Sequence, residues 1–290
     1  MRPNKLFLNQ KPAFWANVRA ISETVGYTER GKKTIKVPTL ANMMDAMRSR
    51  GLDVSHLGLS DCKPSPFGKL LCQYFSYRAK VLNEYVEPRL MDGDRAKTVF
   101  SELKRDLKPS CDCLMPMNKQ KGTKFANAYL TCIVNMIIEA NVGKLNYDCD
   151  PRKLTIITQN GMPLRTLARR VDGAFPSIVN PIAVWEIKEY YYTTTFGSRV
   201  ADGVYETLLD GMELAELREH EGINVLHYLI IDAYRTWWKD GRSYLCRIID
   251  AMHMGYIYEV LFGYEVVEKL PTIVQNWVNI ATQKDILNKS

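Results

Sequence analysis

Residues 223–232 form an almost continuously apolar run that is too short for a typical helix and rich in β-branched and aromatic residues. A strand that is apolar on both faces has to be covered on both sides, as a central strand of an α/β sheet is. Amphipathic helices are predicted around it at 198–219 and 243–262, and an edge strand is predicted at 265–267. This run therefore requires a layered fold with helices on both sides of a sheet.

A second strand is predicted over residues 182–191, which are again β-branched and aromatic. Glu186 and Lys188 lie two positions apart in it, so their side chains project from the same face. A preceding strand is predicted over 166–171 and ends at Asp172, and a proline-marked segment then returns the chain. The two strands would form a hairpin, which makes the predicted fold an α/β fold with a central mixed β-sheet flanked by helices.

This hairpin would bring the carboxylate of Asp172 beside that of Glu186. Two carboxylates at one place repel each other unless a hard divalent cation such as Mg²⁺ lies between them. An ammonium group such as that of Lys188 beside the ion can hold an attacking water and offset charge on a phosphate. From the residues alone, a strand hairpin with a surface Asp and an ordinary Glu/Lys pair remains the alternative.

An Asp, a short hairpin and then Glu-x-Lys on an apolar strand resembles the PD-(D/E)xK nucleases, particularly the type II restriction endonucleases. The resemblance covers roughly residues 125–270 as an architecture and three residues as a motif. It departs from the family pattern at one position, because Val171 and not Pro precedes Asp172. The order hairpin, helix, strand, helix, strand is the order of the restriction-endonuclease-like core.

The resemblance implies Mg²⁺-dependent hydrolysis of phosphodiester bonds in double-stranded DNA, by in-line attack of water. Asp172 and Glu186 would hold the Mg²⁺ ion, with help from the backbone carbonyl of Ile187. Lys188 would orient the attacking water and balance charge on the phosphorus.

Glu139 is a further candidate for the catalytic site. It falls on or beside the apolar stripe of a helix predicted over 124–141, where a carboxylate is costly unless it meets a partner or a metal. Many nucleases of this kind place an acidic residue on the helix that precedes the sheet, close to the metal. A helix-end Glu that reaches water is the alternative.

The segment after Lys188 is crowded with hydroxyl groups and aromatic rings and contains one arginine, which suits a loop that faces DNA. Ser198 can also cap the helix that follows, so that its N-terminus points toward phosphate. Tyrosines in such a run are equally suited to packing in a strand. The predicted DNA contacts around the catalytic hairpin are Arg170, Tyr190, Thr194, Ser198 and Arg199.

The N-terminal part contains a clear helix that begins after Thr39 and ends at Gly51. A short second helix over 53–57 would complete a helix-turn-helix, whose second helix enters the major groove. A plain helical hairpin is an equally good interpretation. The helix-turn-helix would place polar side chains on bases and arginines near phosphates, and the predicted contacts are Arg48, Arg50, Ser55 and His56.

Residues 110–124 are polar, cationic and marked by Gly and Pro, which is typical of a junction. They divide the chain into two predicted domains. Residues 1–120 form a helical domain for DNA recognition, and residues 121–290 form the catalytic domain.

The composition is compatible with these predictions. A net charge of +7 permits a polyanionic partner without proving one, and no apolar run approaches membrane-spanning length. The seven cysteines are scattered, with Cys111 and Cys113 as the only close pair, so reduced thiols in a cytoplasm are favoured over a zinc site. Cys132 and Cys246 fall in apolar helical patterns and are predicted core residues.

The sequence therefore predicts a type II restriction endonuclease in the cytoplasm of a prokaryotic cell. A restriction enzyme that reads a palindrome would act as a homodimer, which the resemblance implies and the residues do not. Another nuclease of the same superfamily is the nearer alternative, such as a junction resolvase, a repair nuclease or a modification-dependent enzyme. A non-catalytic helix-turn-helix DNA-binding protein is the more distant one.

Overall fold

The structure is a computed structural model that describes residues 1–8, 10–29, 34–60, 63–110, 127–192 and 197–287, the last four of them by their backbone only. The N-terminal part contains the elements α1 (Pro12–Val25), α2 (Leu40–Arg48), β1 (Gly58–Ser60), β2 (Lys63–Pro64), α3 (Pro66–Lys80) and α4 (Gly93–Leu107). A wider helical turn, Val81–Val86, continues α3.

The C-terminal part alternates strands and helices. Its elements are α5 (Tyr129–Val142), β3 (Ile156–Gln159), β4 (Met162–Thr166), β5 (Gly173–Phe175), β6 (Ala183–Glu189), α6 (Ser198–Glu221), β7 (Leu226–Asp232), α7 (Arg242–His253), β8 (Glu259–Phe262) and α8 (Glu265–Leu287). Among the helices in these described ranges, none combines the length and the apolar composition needed to cross a bilayer.

Four strands form the central sheet in the order β5-β6-β7-β8. β5 runs antiparallel to β6, whereas β6, β7 and β8 are parallel to one another. All seven residues of β7 are buried, as its apolar run predicts. The prediction of a mixed sheet flanked by helices is confirmed.

The two faces of the sheet pack against different helices. Trp185 of β6 points to the side of α5 and α8, where its ring stacks on Trp277 with the centroids 5.5 Å apart. The alternate residues Glu186 and Lys188 point to the other side, which α6 and α7 cover. The tryptophans at 237, 238 and 277 are all buried in the core, and so are Cys132 and Cys246.

Three predicted elements are wrong in whole or in part. The strand expected at 166–171 is absent, because β4 ends at Thr166 and residues 167–172 run irregularly into β5. The helix expected over 243–262 ends at His253, and residues 259–262 form β8. The edge strand expected at 265–267 is wrong because α8 begins there. The β-branched pair Val266 and Val267 suggested a strand, but the buried apolar residues of this segment recur at helical spacing: Val266, Leu270, Ile273, Val274 and Trp277.

The second helix of the predicted helix-turn-helix is also wrong. Residues 55–57 form a turn that leads into β1. The Asp53 carboxylate fixes this turn by accepting the backbone N–H of Ser55 at 3.2 Å and its hydroxyl at 2.5 Å. Gly58 then lies so close to β2 that a Cβ there would be 2.5 Å from the carbonyl oxygen of Lys63, so only glycine fits this pairing.

A buried ion pair joins the N-terminal helices to the C-terminal half of the chain. Arg78 of α3 donates to both oxygens of Asp250 of α7, at 3.0 and 2.9 Å, and is only 1 % exposed. The hydroxyl of Tyr74 donates to the same carboxylate at 2.5 Å. A buried carboxylate with three such contacts fixes how α3 lies on α7.

Asp232, at the end of β7, ties the segment before α4 to the sheet. One oxygen accepts the N–H groups of Met91 and Ala233, at 2.7 and 2.8 Å, and the other accepts the hydroxyl of Tyr191 at 2.6 Å. Burial outweighs these hydrogen bonds and raises the pKa of Asp232 to about 7.

This raised pKa predicts that the Asp232→Asn variant gains stability relative to the wild type as the pH rises. The folded protein binds the proton more tightly than the unfolded chain, so the contribution of Asp232 to stability falls as the pH rises from 3.8 to about 7. The difference in unfolding free energy should change by at most about 1.4 kcal/mol per pH unit. Urea titrations of both proteins at several pH values measure it. The exposed Asp94→Asn variant controls for the substitution itself. A flat difference for Asp232→Asn would contradict the assignment.

Candidate active site

Asp172 lies immediately before β5, on the face of the sheet that α6 covers. Its backbone N–H donates to the carbonyl of Trp185 at 3.1 Å, which continues the β5–β6 pairing by one residue. Its carboxylate oxygen Oδ2 accepts the N–H of Ile187 at 2.8 Å. The hairpin thus brings Asp172 and Glu186 together, as the sequence predicts.

Glu186 and Lys188 form a buried pair on β6. Glu186 is fully buried and Lys188 is 8 % exposed, and the Lys188 Nζ atom lies 2.9 Å from Oε2 of Glu186. The same ammonium group donates to Oε2 of Glu206 on α6 at 3.0 Å. Lys188 therefore links the strand to the helix that covers it.

A second cation, Arg169, completes the cluster. Its Nη1 atom lies 3.0 Å from Oε1 of Glu186 and 2.6 Å from Oδ2 of Asp210, which is fully buried on α6. Its Nη2 atom lies 3.3 Å from Oε2 of Glu206. We call this group the carboxylate cluster, and it comprises Arg169, Asp172, Glu186, Lys188, Glu206 and Asp210.

The carboxylate cluster holds four acidic and two basic side chains, so it carries an excess of negative charge when all are ionised. Burial, and after it the charge of Glu186, raises the pKa of Asp210 to about 7 and that of Asp172 to about 6. Asp172 is itself an exposed residue, whereas Glu186 and Asp210 are fully buried. The neighbouring carboxylates raise the pKa of Lys188 against the effect of its burial. This ammonium group therefore stays charged at neutral pH.

Several contacts hold Lys188 in place. The indole N–H of Trp237 donates to its backbone carbonyl at 3.2 Å. The ring of Tyr190 stacks on Trp237, with the centroids 5.7 Å apart. On the helix side, Gly203 lets α6 approach, because a Cβ there would be 2.8 Å from the Tyr190 hydroxyl and 3.3 Å from Cδ of Lys188.

The donor set suits a hard divalent cation. Mg²⁺ is usually bound through one or two carboxylates, with water and substrate phosphates as the other ligands. Asp172 and Glu186 provide two such groups. Oε1 of Glu186 is buried and accepts no hydrogen bond from the described residues, and its charged neighbour is Nη1 of Arg169, 3.0 Å away. Within the same ranges, no three His, Cys, Asp or Glu side chains are grouped so as to hold a metal by themselves. The residues present thus fit an ion that needs water and substrate to complete its coordination.

Glu139 does not join this cluster. α5 packs on the opposite face of the sheet, in the core that contains Trp185. One oxygen of Glu139 accepts the backbone N–H of Ser110 at 2.9 Å, so this carboxylate helps to fix the end of the segment after α4. The backbone N–H of Ile187 donates to Asp172, while its side chain packs on the α5 side.

The predicted DNA contacts near the hairpin lie in different surroundings. Tyr190 is half-buried, and its hydroxyl donates to the carbonyl of Arg199 at 3.2 Å. Ser198 and Arg199 are exposed at the start of α6, but Gly197, not Ser198, precedes the first turn and no side chain caps it. Arg170 is exposed next to Arg169. Thr194 lies outside the described residues.

The four predicted contacts of the N-terminal part are exposed but do not lie on a second helix. Arg48 pairs with Asp45 at 3.2 Å, and Arg50 pairs with Glu23 at 2.6 Å. Ser55 belongs to the turn fixed by Asp53, and Nε2 of His56 lies 2.9 Å from Oδ1 of Asn17. These four side chains contact other residues of the same chain. They do not form the predicted arrangement for reading a DNA groove.

Three members of the cluster are missing from the sequence predictions, namely Arg169, Glu206 and Asp210. Asp210 could have been found, because it lies four residues after Glu206 on the same side of a helix and falls among residues that the fold buries. Arg169 lies in an irregular segment, where the sequence carries no periodicity to orient a side chain.

Two family models match the chain. One is described as a domain of unknown function (DUF7687) and matches residues 91–277; the other is described as a domain of unknown function (DUF7690) and matches residues 1–85. No curated protein and no solved structure matches the chain. The whole carboxylate cluster lies within the first match. The two matches meet between residues 85 and 91. The domain boundary at residue 120 lies outside the described residues and stays a prediction.

Proposed function

The chain belongs to the family described as a domain of unknown function (DUF7687), and from the geometry of its carboxylate cluster we propose that it is a Mg²⁺-dependent DNA endonuclease. We also propose that the chain is a member of the PD-(D/E)xK superfamily and has its restriction-endonuclease-like core. The observation that carries it is the convergence of Asp172, Glu186 and Lys188 at one place on a mixed sheet.

The topology gives the proposal further support. The motif lies on a β-hairpin at one side of the sheet, and the chain then continues through α6, β7, α7 and β8. This is the order implied by the resemblance to the nucleases. Asp172, Glu186 and Lys188 come from adjacent strands, so the backbone pairing fixes their mutual positions.

Asp172 and Glu186 would hold Mg²⁺, which when bound polarises a phosphate oxygen and makes a coordinated water more acidic. Lys188 would donate to the attacking water or to a non-bridging phosphate oxygen. Its ammonium group is charged, is held between Glu186 and Glu206, and meets the increasing negative charge on the phosphate. Arg169 would keep Glu186 and Asp210 in place through its two short contacts.

Among nucleases, we propose the sequence-specific, type II class for double-stranded DNA, with a homodimer as the acting form. The exposed residues Ser198 and Arg199, at the N-terminus of α6, and Arg170 near Asp172 are the proposed phosphate contacts. A palindromic site matches a two-fold dimer, which is the reason for the proposed homodimer. This assignment rests on the resemblance and on the basic net charge of +7.

The alternative of a non-catalytic helix-turn-helix protein loses its physical basis, because residues 55–57 form a turn and not the start of a recognition helix. The other nuclease classes share the same catalytic residues. They are separated by substrate: a mapped plasmid, methylated DNA and branched junctions are incubated with the protein and Mg²⁺ side by side. Discrete fragments from unmodified plasmid, with sequenced ends that share a site, would support the type II class. Cleavage confined to methylated DNA or to junctions would reject it in favour of those classes.

Gly203→Ala tests whether α6 positions Lys188. The added Cβ would lie 2.8 Å from the Tyr190 hydroxyl, so the ring and the neighbouring Lys188 stem have to shift. We expect cleavage to slow by about tenfold or more, since small displacements of a catalytic group are costly. Alanine favours a helix by up to about 1 kcal/mol over glycine, which offsets part of the cost of this shift, and thermal unfolding separates a loss of rate from a loss of fold.

The matched control for this experiment is Asp202→Ala, the neighbouring exposed position on α6. Both variants are compared by initial cleavage rates and by thermal unfolding. Equal rates for Gly203→Ala and wild type would show that the close approach of α6 does not position Lys188.

A further inference from the structure

A cavity of about 360 Å³ lies near the C-terminal half of α6, and its lining includes no residue of the carboxylate cluster. The N-terminal segment and the loop before β8 form its other walls. Its first α6 residue is Gly211, which directly follows Asp210 of the carboxylate cluster. The volume is in the range of sites that bind small molecules.

The inner wall of this cavity is apolar and preformed. Leu214, Val225 and Ile257 line it and are themselves almost fully buried. Gly211 keeps the walls together, because a Cβ there would be 2.3 Å from the carbonyl oxygen of Tyr256. A ligand would therefore meet a formed apolar surface without having to open it.

The rim of the cavity is cationic. Lys5 and Arg218 line it and are exposed, and within the described ranges neither forms an ion pair. Arg2, also at the rim, pairs with Glu259 at 2.9 Å. The described lining residues include no Asp or Glu, so the positive charge of Lys5 and Arg218 is not offset within the cavity.

One buried polar group completes the wall. His227 is 2 % exposed, and its Nδ1 atom is hydrogen-bonded to the carbonyl of Tyr256 at 2.9 Å. Its Nε2 atom has no hydrogen-bond partner in the part of the chain that the structure describes. A buried nitrogen of this kind favours a ligand or a water that can pair with it.

We propose that this cavity binds a small organic anion, in which one carboxylate or phosphate group is attached to an apolar or aromatic body. The anionic group would lie between Lys5 and Arg218, and the body would fill the space lined by Leu214, Val225 and Ile257. The site is independent of the nuclease proposal, because none of these residues belongs to the carboxylate cluster.

Calorimetry with matched pairs of probes tests the proposal on the full chain. Octanoate is compared with octanamide, and deoxyadenosine monophosphate with deoxyadenosine, so that each pair differs in its charged group. At least one anion should bind with a dissociation constant below about 1 mM and about tenfold or more tightly than its neutral counterpart. Octanoate binding alone identifies a carboxylate source, and nucleotide binding alone identifies a phosphate source. If no anion binds better than its neutral counterpart, the proposal is overturned.

Two variants locate the binding. Arg218→Glu reverses an exposed charge and should weaken the anion about tenfold or more, whereas Arg235→Glu, an exposed arginine far along the chain, should not. Ala215→Trp should fill the cavity and abolish binding. Circular dichroism verifies that each variant is folded. Unchanged affinity in Arg218→Glu, or in a folded Ala215→Trp variant, would place the anion elsewhere and overturn the assignment.

Discussion

Replacing Lys188 with alanine is expected to slow DNA cleavage by about a hundredfold or more, as the loss of a donor to developing charge does in other enzymes. Its ammonium group lies 2.9 Å from Glu186 and 3.0 Å from Glu206, and the surrounding carboxylates keep it charged. Without it, no ammonium group remains at this point to face the phosphate. Initial rates on plasmid DNA with Mg²⁺ measure the effect.

The control for this variant is Lys97→Ala, which removes an exposed lysine of α4 and should cleave like the wild type. Removing one partner of a buried pair also destabilises the fold, by up to about 3–5 kcal/mol. Rates are therefore compared at a temperature where circular dichroism shows both variants folded, and DNA binding is followed by gel shift. A folded Lys188→Ala variant that cleaves at the wild-type rate would reject the role of Lys188.

Replacing Arg78 with methionine is expected to lower the free energy of unfolding by about 3–5 kcal/mol, because it leaves the Asp250 carboxylate in the core without its cation. Arg78 is 1 % exposed and donates twice to Asp250, and Tyr74 donates to the same group. Methionine keeps much of the volume, so the loss reflects the charge and the hydrogen bonds more than a cavity. Urea titration measures the shift.

Two further variants separate this effect from general sensitivity. Arg48→Met removes an exposed arginine that pairs with Asp45 and should change stability by no more than about 0.5 kcal/mol. The double variant Arg78→Met with Asp250→Leu removes both charges and should recover part of the loss. An Arg78→Met protein within about 1 kcal/mol of the wild type would contradict the importance of this pair in joining α3 to α7.

The sheet could be predicted from the sequence because its central strands are nearly continuous apolar runs. β6 and β7 lie within the predicted segments, and α6 agrees with its predicted start and ends before Gly222. The elements at the edges of the sheet could not be predicted in the same way. Val266 and Val267 are β-branched, yet α8 begins at Glu265, since the burial of a longer helical stripe outweighs the local β-propensity.

The three motif residues could be predicted together because they are close in sequence and lie on one hairpin. Strand alternation fixes the common face of Glu186 and Lys188, and the pairing of adjacent strands brings in Asp172. Which residues of α6 join the carboxylate cluster depends on which face of the helix packs on the sheet. Apolar residues alone do not mark this face, since Met212 of α6 is 53 % exposed.

The face of α6 that packs on the sheet contains Gly203, Thr207 and Asp210, which are small or polar. Counting apolar residues does not identify such a face. Its small residues allow the helix to approach the sheet closely, and Asp210 contacts Arg169. Glu139 was assigned to the catalytic site for a related reason. A carboxylate beside an apolar stripe indicates a buried partner, but it does not indicate on which side of the sheet that partner lies.

The most direct test of the account is cleavage of supercoiled plasmid by the wild-type protein, with Mg²⁺ in one reaction and a chelator in the other, alongside the isosteric Asp172→Asn variant. We expect Mg²⁺ to yield linear DNA with defined ends, the chelator to prevent this, and Asp172→Asn to bind DNA without cutting it. Plasmid that stays intact with Mg²⁺ while bound to the folded wild-type protein, or equal cutting by Asp172→Asn, would contradict the proposal that this carboxylate cluster hydrolyses DNA.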